Sequence, residues 1–238
     1  MQPHLKWGRP LGKYALIPGD PKRAEYISTF LENPREISKH REFWTYAGKY
    51  DGIDVATTST GIGGPSTSIA VHELSQLGVK TFIRVGTCGY ISPKVKTGDI
   101  VIATSAIRKD GTSPFYAPLE YPAVASFEVV SALLRASKKL GYECHCGTVL
   151  SADSFYEIKP WIEKFKNALA FEMECASLFV QCSVKGLRGG AILAVDGRAG
   201  DVEAVSRYTM GESVVHTAIK REIEISLEAI KTLEDFTP

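Results

Sequence analysis

The 238-residue sequence has no apolar run approaching the ~18 residues that a membrane span requires. Its first ten residues, MQPHLKWGRP, carry no signal-peptide core. It also lacks an excess of either charge, with 28 basic side chains against 27 acidic ones and no long basic stretch. A nucleic-acid binder draws its affinity from neutralising phosphates, so this balance argues against that class. Cysteine is scarce and odd in number, five in all, which does not make a disulfide framework. Repeats, low-complexity segments and linkers are missing too. What remains is 44% hydrophobic and 23% charged, the balance of a globular chain. A chain of this length buries roughly 70–75% of its unfolded surface, enough for one large α/β domain. These features predict a single domain over residues 1–238. They predict a cytoplasmic enzyme acting on something small, with neither nucleic acid nor membrane as a partner.

Strand and helix signals alternate along the chain. An apolar run over 14–18 stops at Gly19-Asp20-Pro21, and a helical stretch over 24–31 follows. Two β-rich runs, 43–50 and 53–59, are joined by Asp51-Gly52, a strong hairpin signal. The second run ends in Gly61-Ile62-Gly63-Gly64-Pro65, and a helix over 66–77 precedes Gly78. Residues 81–85 read as a strand closed by Gly86-Thr87-Cys88-Gly89, and 99–106 as a strand buried on both faces. Phe127, Val130, Leu134 and Leu140 keep a helical period up to Gly141. Strands are predicted over 145–150 and 191–195, and helices over 175–185 and 211–233. The fold class is α/β, a mixed twisted sheet flanked by helices.

Several residues stand where chemistry could be done. Gly19-Asp20-Pro21-Lys22-Arg23 is a tight turn ahead of a helix N-terminus, a geometry that favours an anion. Arg23 adds a planar fork of donors, although a solvated arginine in an ordinary turn explains the same residues. Arg84 lies inside an apolar strand, so it is either half of an internal salt bridge or an anion ligand at the strand's carboxyl end, beside Thr87. Glu172 and Glu174 flank Met173. They are sugar-hydroxyl acceptors or helix-start acids interacting with the dipole. Asp196 ends an apolar run and reads as a general acid with a raised pKa or as a turn cap. The loop at 61–65 does not carry the acidic partner of a dinucleotide fingerprint, since the next strand holds Arg84 instead. Cys144-His145-Cys146 would alternate on a strand and has no second cluster, which argues against a metal site.

The motifs PGDPKR (18–23), HREF (40–43), STGIGGPSTSIAV (59–71), RVGTCG (84–89), YAPLEYPAVA (116–125), SADSFY (151–156) and FEMECA (171–176) occur in order. With them the chain resembles the hexamer-forming nucleoside phosphorylase family from end to end. The stretch from His40 to Glu128 is most similar to bacterial uridine phosphorylases.

The resemblance implies a partly barrel-like sheet and phosphorolysis of ribonucleosides to a free base and ribose 1-phosphate. Inorganic phosphate would be the co-substrate, with no metal or organic cofactor. It implies phosphate binding by Gly19, Arg23, Arg41, Arg84 and Thr87, and ribose binding by His4, Glu172, Met173 and Glu174. Cys88, Gly89, Phe155 and Asp196 would line the base site, with Asp196, Arg84 and Glu174 catalytic. His4 and Arg41 would reach the neighbouring site of a homo-oligomer, a hexamer built as a trimer of dimers.

One departure bears on the base. Uridine phosphorylases carry a Gln and an Arg shortly after the SADSFY-like segment, whereas this chain continues Glu157-Ile158-Lys159-Pro160-Trp161. Ala194-Val195-Asp196-Gly197 is instead similar to the purine-cleaving members. The sequence therefore predicts a preference for inosine or guanosine, with uridine as the alternative. A hydrolytic nucleosidase would not need Arg23, Arg41 and Arg84 to converge, and a non-catalytic nucleoside-binding protein would bind without turnover.

Overall fold

The computed structural model describes residues 1–201 and 213–235. Among these residues, nine strands form one sheet in the order β2-β3-β4-β1-β5-β8-β7-β6-β9, and β9 returns to pair with β5. The strands are β1 (Tyr14–Leu16), β2 (Glu32–His40), β3 (Phe43–Tyr50), β4 (Ile53–Thr58), β5 (Thr81–Tyr90), β6 (Ile100–Lys109), β7 (His145–Ala152), β8 (Ala170–Glu172) and β9 (Arg188–Arg198). Five of them thus close into a barrel, while β1 to β4 extend from it as an open arm. The mixed, partly barrel-like sheet expected from the sequence is present. Helices α1 (Pro21–Ser28), α2 (Gly64–Gln76), α3 (Phe127–Leu140), α4 (Lys159–Lys164), α5 (Cys175–Val184) and α6 (Ser213–Asp235) flank it.

The central strands are buried on both faces, and alternation sorts their side chains between two cores. Ala15, Phe82, Ala191 and Leu193 pack with α2 and α5. Leu16, Ile83, Val85 and Ile192 pack with α3 and α6 on the other side.

Several elements differ from the sequence reading, among them β8, which was not predicted, and β9, which is longer than the strand predicted over 191–195. β5 continues through Gly86-Thr87-Cys88-Gly89 to Tyr90 because it pairs with β9 along its length. Neither Gly86 nor Gly89 has a positive φ, so these glycines do not turn the chain. β2 went unpredicted because it is an edge strand of exposed, polar residues with Pro34 inside it, and carries no apolar alternation. α4 is only six residues and buries none of them, which leaves no periodic signal. The first two residues of the helix predicted over 211–233 lie outside the described residues.

The topology creates an opening. β1 pairs with β5 only as far as Leu16↔Ile83, and β8 joins the same edge of β5 only from Gly89. Between them, Arg84 to Cys88 have β9 on one side and no strand on the other. Val85 and Thr87 share the parity of Ile83 and Gly89, so their backbone groups turn into that gap.

Candidate active site

A cavity of about 750 Å³ occupies the gap. Gly19 and Arg23 line it from the β1–α1 turn, Arg84, Thr87, Cys88 and Gly89 from β5, and Glu172, Met173 and Glu174 from the β8–α5 junction. Phe155 and Asp196 complete the set of predicted residues that the structure brings together. Asp20 caps α1 by accepting from the Lys22 N–H at 2.9 Å, which orients the helix N-terminus toward this space. Arg23 is almost fully buried, and its Nη1 reaches the Val85 carbonyl at 3.5 Å.

Arg84 forms the internal salt bridge of the first sequence reading, within a buried ion-pair network, and it also lines the cavity. Its Nε donates to Glu172 Oε2 at 3.1 Å, and its Nη2 pairs with Glu174 Oε2 at 2.5 Å. Burial works against the charge, but the two carboxylates outweigh it and hold the guanidinium pKa above its ordinary value. Gly86 makes this placement possible. Residues 84 and 86 share a face of the strand, and a Cβ at 86 would stand 2.7 Å from the guanidinium carbon.

The two glutamates, paired in the sequence reading, do different things. Glu172 is consumed by structure: besides Arg84 it accepts from Ser151 Oγ and from the Glu174 and Cys175 backbone N–H groups, at 2.9 and 3.0 Å. It folds the chain back from β8 into α5. Glu174 points across the cavity, where Oε1 accepts from the Gly63 N–H at 2.7 Å, at the N-terminus of α2. Burial raises the Glu174 pKa, against the pull of Arg84. The glycine-rich loop at 61–65 therefore serves to hold a carboxylate.

Asp196 lies within β9 rather than at the end of a strand. The register with β5 runs Cys88↔Val195 and then Gly89↔Gly197, so Asp196 is the extra residue of a β-bulge. A bulge re-aims a side chain, and here it sends the carboxylate into the cavity. Burial lifts its pKa from 3.8 to about 6, opposed by the Thr87 hydroxyl and Arg23. The folded protein thus holds a proton between these two values that the unfolded chain has lost, and stability falls as pH rises through that window. Asp196→Asn should remove this loss. Denaturant unfolding should find the variant up to ~3 kcal/mol more stable than wild type at pH ~8, with no gain below pH ~4. An equal difference at both pH values would refute the assignment.

His4 and Arg41 stay out of the cavity of their own chain. His4 is anchored by Glu73 on α2, which accepts from its Nδ1 at 2.7 Å and from its backbone N–H at 3.1 Å. Arg41 occupies the exposed β2–β3 turn at φ 54°. His145, predicted to point away from Cys144 and Cys146, bonds Asp99 Oδ2 at 2.9 Å through Nε2.

Sequence reasoning missed four charged residues at the site. Glu42, next to Arg41 in the sequence, lines the cavity, as do Arg198 and Asp201 beyond Asp196. Glu222 is buried behind Arg23, with Oε1 3.9 Å from Nη1. Only Glu222 leaves a sequence signal, as a charge inside the apolar stripe of its helix.

A barrel with one splayed strand, and arginines and carboxylates gathered in the splay, is the framework of an enzyme that handles an anion and a polyol. The model of the phosphorylase superfamily matches residues 13–231. The chain belongs to that superfamily and is an enzyme, a pentosyltransferase. It is 39% identical to the uridine phosphorylase of Escherichia coli (strain K12), over 92% of this chain and 91% of that protein. It is 43% identical to the uridine phosphorylase of Thermococcus kodakarensis, over 82% and 79% of the two chains. The guanosine phosphorylase of Halorubrum lacusprofundi is 38% identical over 98% and 99%. No helix among the described residues is long and apolar enough to cross a membrane.

Proposed function

We propose that the protein is a nucleoside phosphorylase whose principal substrate is uridine. The observation that carries the reading is the convergence of Arg23, Arg84 and Thr87 with Met173 and Glu174 in one cavity of a phosphorylase-superfamily chain. Phosphate is held by the Gly19 turn, Arg23, Arg84 and Thr87, joined by Arg41 of the partner subunit. Glu174 accepts from the ribose hydroxyls, Met173 packs against the sugar and Glu172 braces both. His4 of the partner subunit closes the ribose site, within a homohexamer. As the C1′–N bond stretches, the ribose acquires oxocarbenium character. The phosphate dianion stabilises that charge and forms the new C1′–O bond, while the base leaves with the bonding electron pair and takes a proton or hydrogen bond. Positioning and electrostatics supply the catalysis, and the chemistry calls for no metal or organic cofactor.

The base assignment departs from the purine preference expected from Asp196. Two observations support uridine. Most of the relatives described are uridine phosphorylases, and Arg198, an exposed residue that lines the cavity two positions after Asp196, is available to supply the guanidinium that the sequence reading found missing. Guanosine is the second reading. It is favoured by the carboxylate that the bulge aims into the cavity and by the guanosine phosphorylase relative.

The test is to incubate the enzyme with uridine, inosine or guanosine, with and without phosphate, and measure ribose 1-phosphate. Uridine should give the highest kcat/KM, and no product should form without phosphate. Asp196→Asn should slow guanosine cleavage by roughly 10²–10⁴ if that residue protonates the base. A kcat/KM for guanosine far above that for uridine would reverse the order of the two readings.

A further inference from the structure

α6 carries a charge where its pattern calls for an apolar residue. Val215, Ile219, Ile223, Leu227 and Ile230 form its buried stripe at spacings of three and four. Glu222 lies in that stripe with 0% exposure. Among the described residues, neither of its carboxyl oxygens has a hydrogen-bond partner of ordinary geometry. An ionised carboxylate so placed is strongly disfavoured unless a cation stands beside it. That cation is Arg23, whose Nη1 lies 3.9 Å from Oε1 and whose guanidinium lines the cavity from the other side.

Among the described residues, Arg23 is the cation paired directly with Glu222. Arg84 is matched by Glu172 and Glu174. From β5, Arg84 and Cys88 act on Glu222 at longer range, and from β9 so do Asp196 and the Ala194 amide. On the α3 side the same core consists of Ala132, Leu133 and Ala136, which carry no charge. Burial dominates and pushes the Glu222 carboxyl well above its ordinary range, against the pull of Arg23. A phosphate dianion brought to Arg23 would have Glu222 directly behind it. Two anions would then share one guanidinium, and the buried carboxylate is the one able to shed its charge.

We propose that Glu222 is a positioning residue for phosphate. Above its pKa in the empty enzyme it is an anion that holds Arg23, and on phosphate binding it takes a proton from solvent. The inference rests on the phosphorolytic reading above. Because bound phosphate favours the protonated carboxyl, phosphate affinity falls as pH rises between the Glu222 pKa of the free and of the loaded enzyme. Glutamine at this position is neutral at every pH and lacks that dependence.

The phosphate KM should be measured at saturating uridine from about pH 6 to about pH 9 for wild type and Glu222→Gln, and the ratio taken so that the titration of phosphate itself cancels. The wild-type KM should rise about tenfold more across that range than the variant KM, with KM changing more than kcat. Inorganic phosphate should also be titrated calorimetrically at pH ~8 into both proteins, in two buffers of different ionisation heat. Proton uptake in wild type that disappears in Glu222→Gln is the expected result. Equal uptake in both proteins would assign the proton to Asp196 and overturn the proposal, and no uptake in wild type would overturn it as well. Should the glutamine variant not fold, Glu222→Leu completes the apolar stripe and gives the same readout. A wild-type enzyme that cleaves uridine equally well without phosphate defeats the phosphorolytic reading instead, while the calorimetry still reports on Glu222.

Discussion

Arg84→Ala should lose both activity and stability. Among the described residues, its guanidinium is the cation paired with Glu172 and Glu174, both buried beside it. Its removal leaves two carboxylates in the protein interior, at a cost of about 3–5 kcal/mol in unfolding free energy. It also removes a ligand from the proposed phosphate site, so the phosphate KM should rise and kcat should fall, for a combined loss of about 10²–10³. Arg84→Lys separates the two effects. A lysine restores a charge to the carboxylates but not the planar fork, so it should recover more stability than activity. Denaturant unfolding and phosphate-dependent kinetics on the three proteins make the comparison. An alanine variant with wild-type stability and turnover would mean that neither role belongs to Arg84.

Mixing two inactive variants should restore activity. Arg41 and His4 lie outside the cavity of their own chain, while Glu174 lies inside it. If sites are completed across a two-fold interface, Arg41→Ala and Glu174→Ala each disable every site in a uniform oligomer, with losses of about 10² or more. A mixed pair of subunits has one site with both residues intact and one with neither. Random co-assembly should therefore recover about one quarter of wild-type activity. The hybrids should be made by co-expression or co-refolding, so that subunits exchange. Recovery no greater than the sum of the parents, or full activity in a stable monomer, would place Arg41 outside the partner's site.

Much of the site was legible in the sequence because glycine and charge leave strong local marks. Arg84 stood out as a cation in an apolar strand, and Gly19-Asp20-Pro21 as a turn before a helix. The division of labour between Glu172 and Glu174 was not legible. Two carboxylates two residues apart look alike in sequence, and only the fold shows that one is surrounded by donors while the other faces a cavity. The base preference drawn from Asp196 is not supported by most of the relatives, and the sequence signal behind it was weak for a related reason. A carboxylate at the end of an apolar run says nothing about what stands beside it, and Arg198 enters the same cavity from beyond the bulge.

Local pattern determined the elements: alternation in the strands, the helical period of α3, the Asp51-Gly52 hairpin and the motifs that carry the family resemblance. These signals are read within a few residues, so they survive without knowledge of the fold. Tertiary structure decided what the elements make together. β5 ran on through its glycines because β9 was there to pair with it, and its other edge opened because β1 ends before β8 begins. That gap, the bulge at Asp196 and the burial of Glu222 behind Arg23 all depend on contacts between residues far apart in the chain. No local window contains both partners, and for that reason the cavity belongs to the fold.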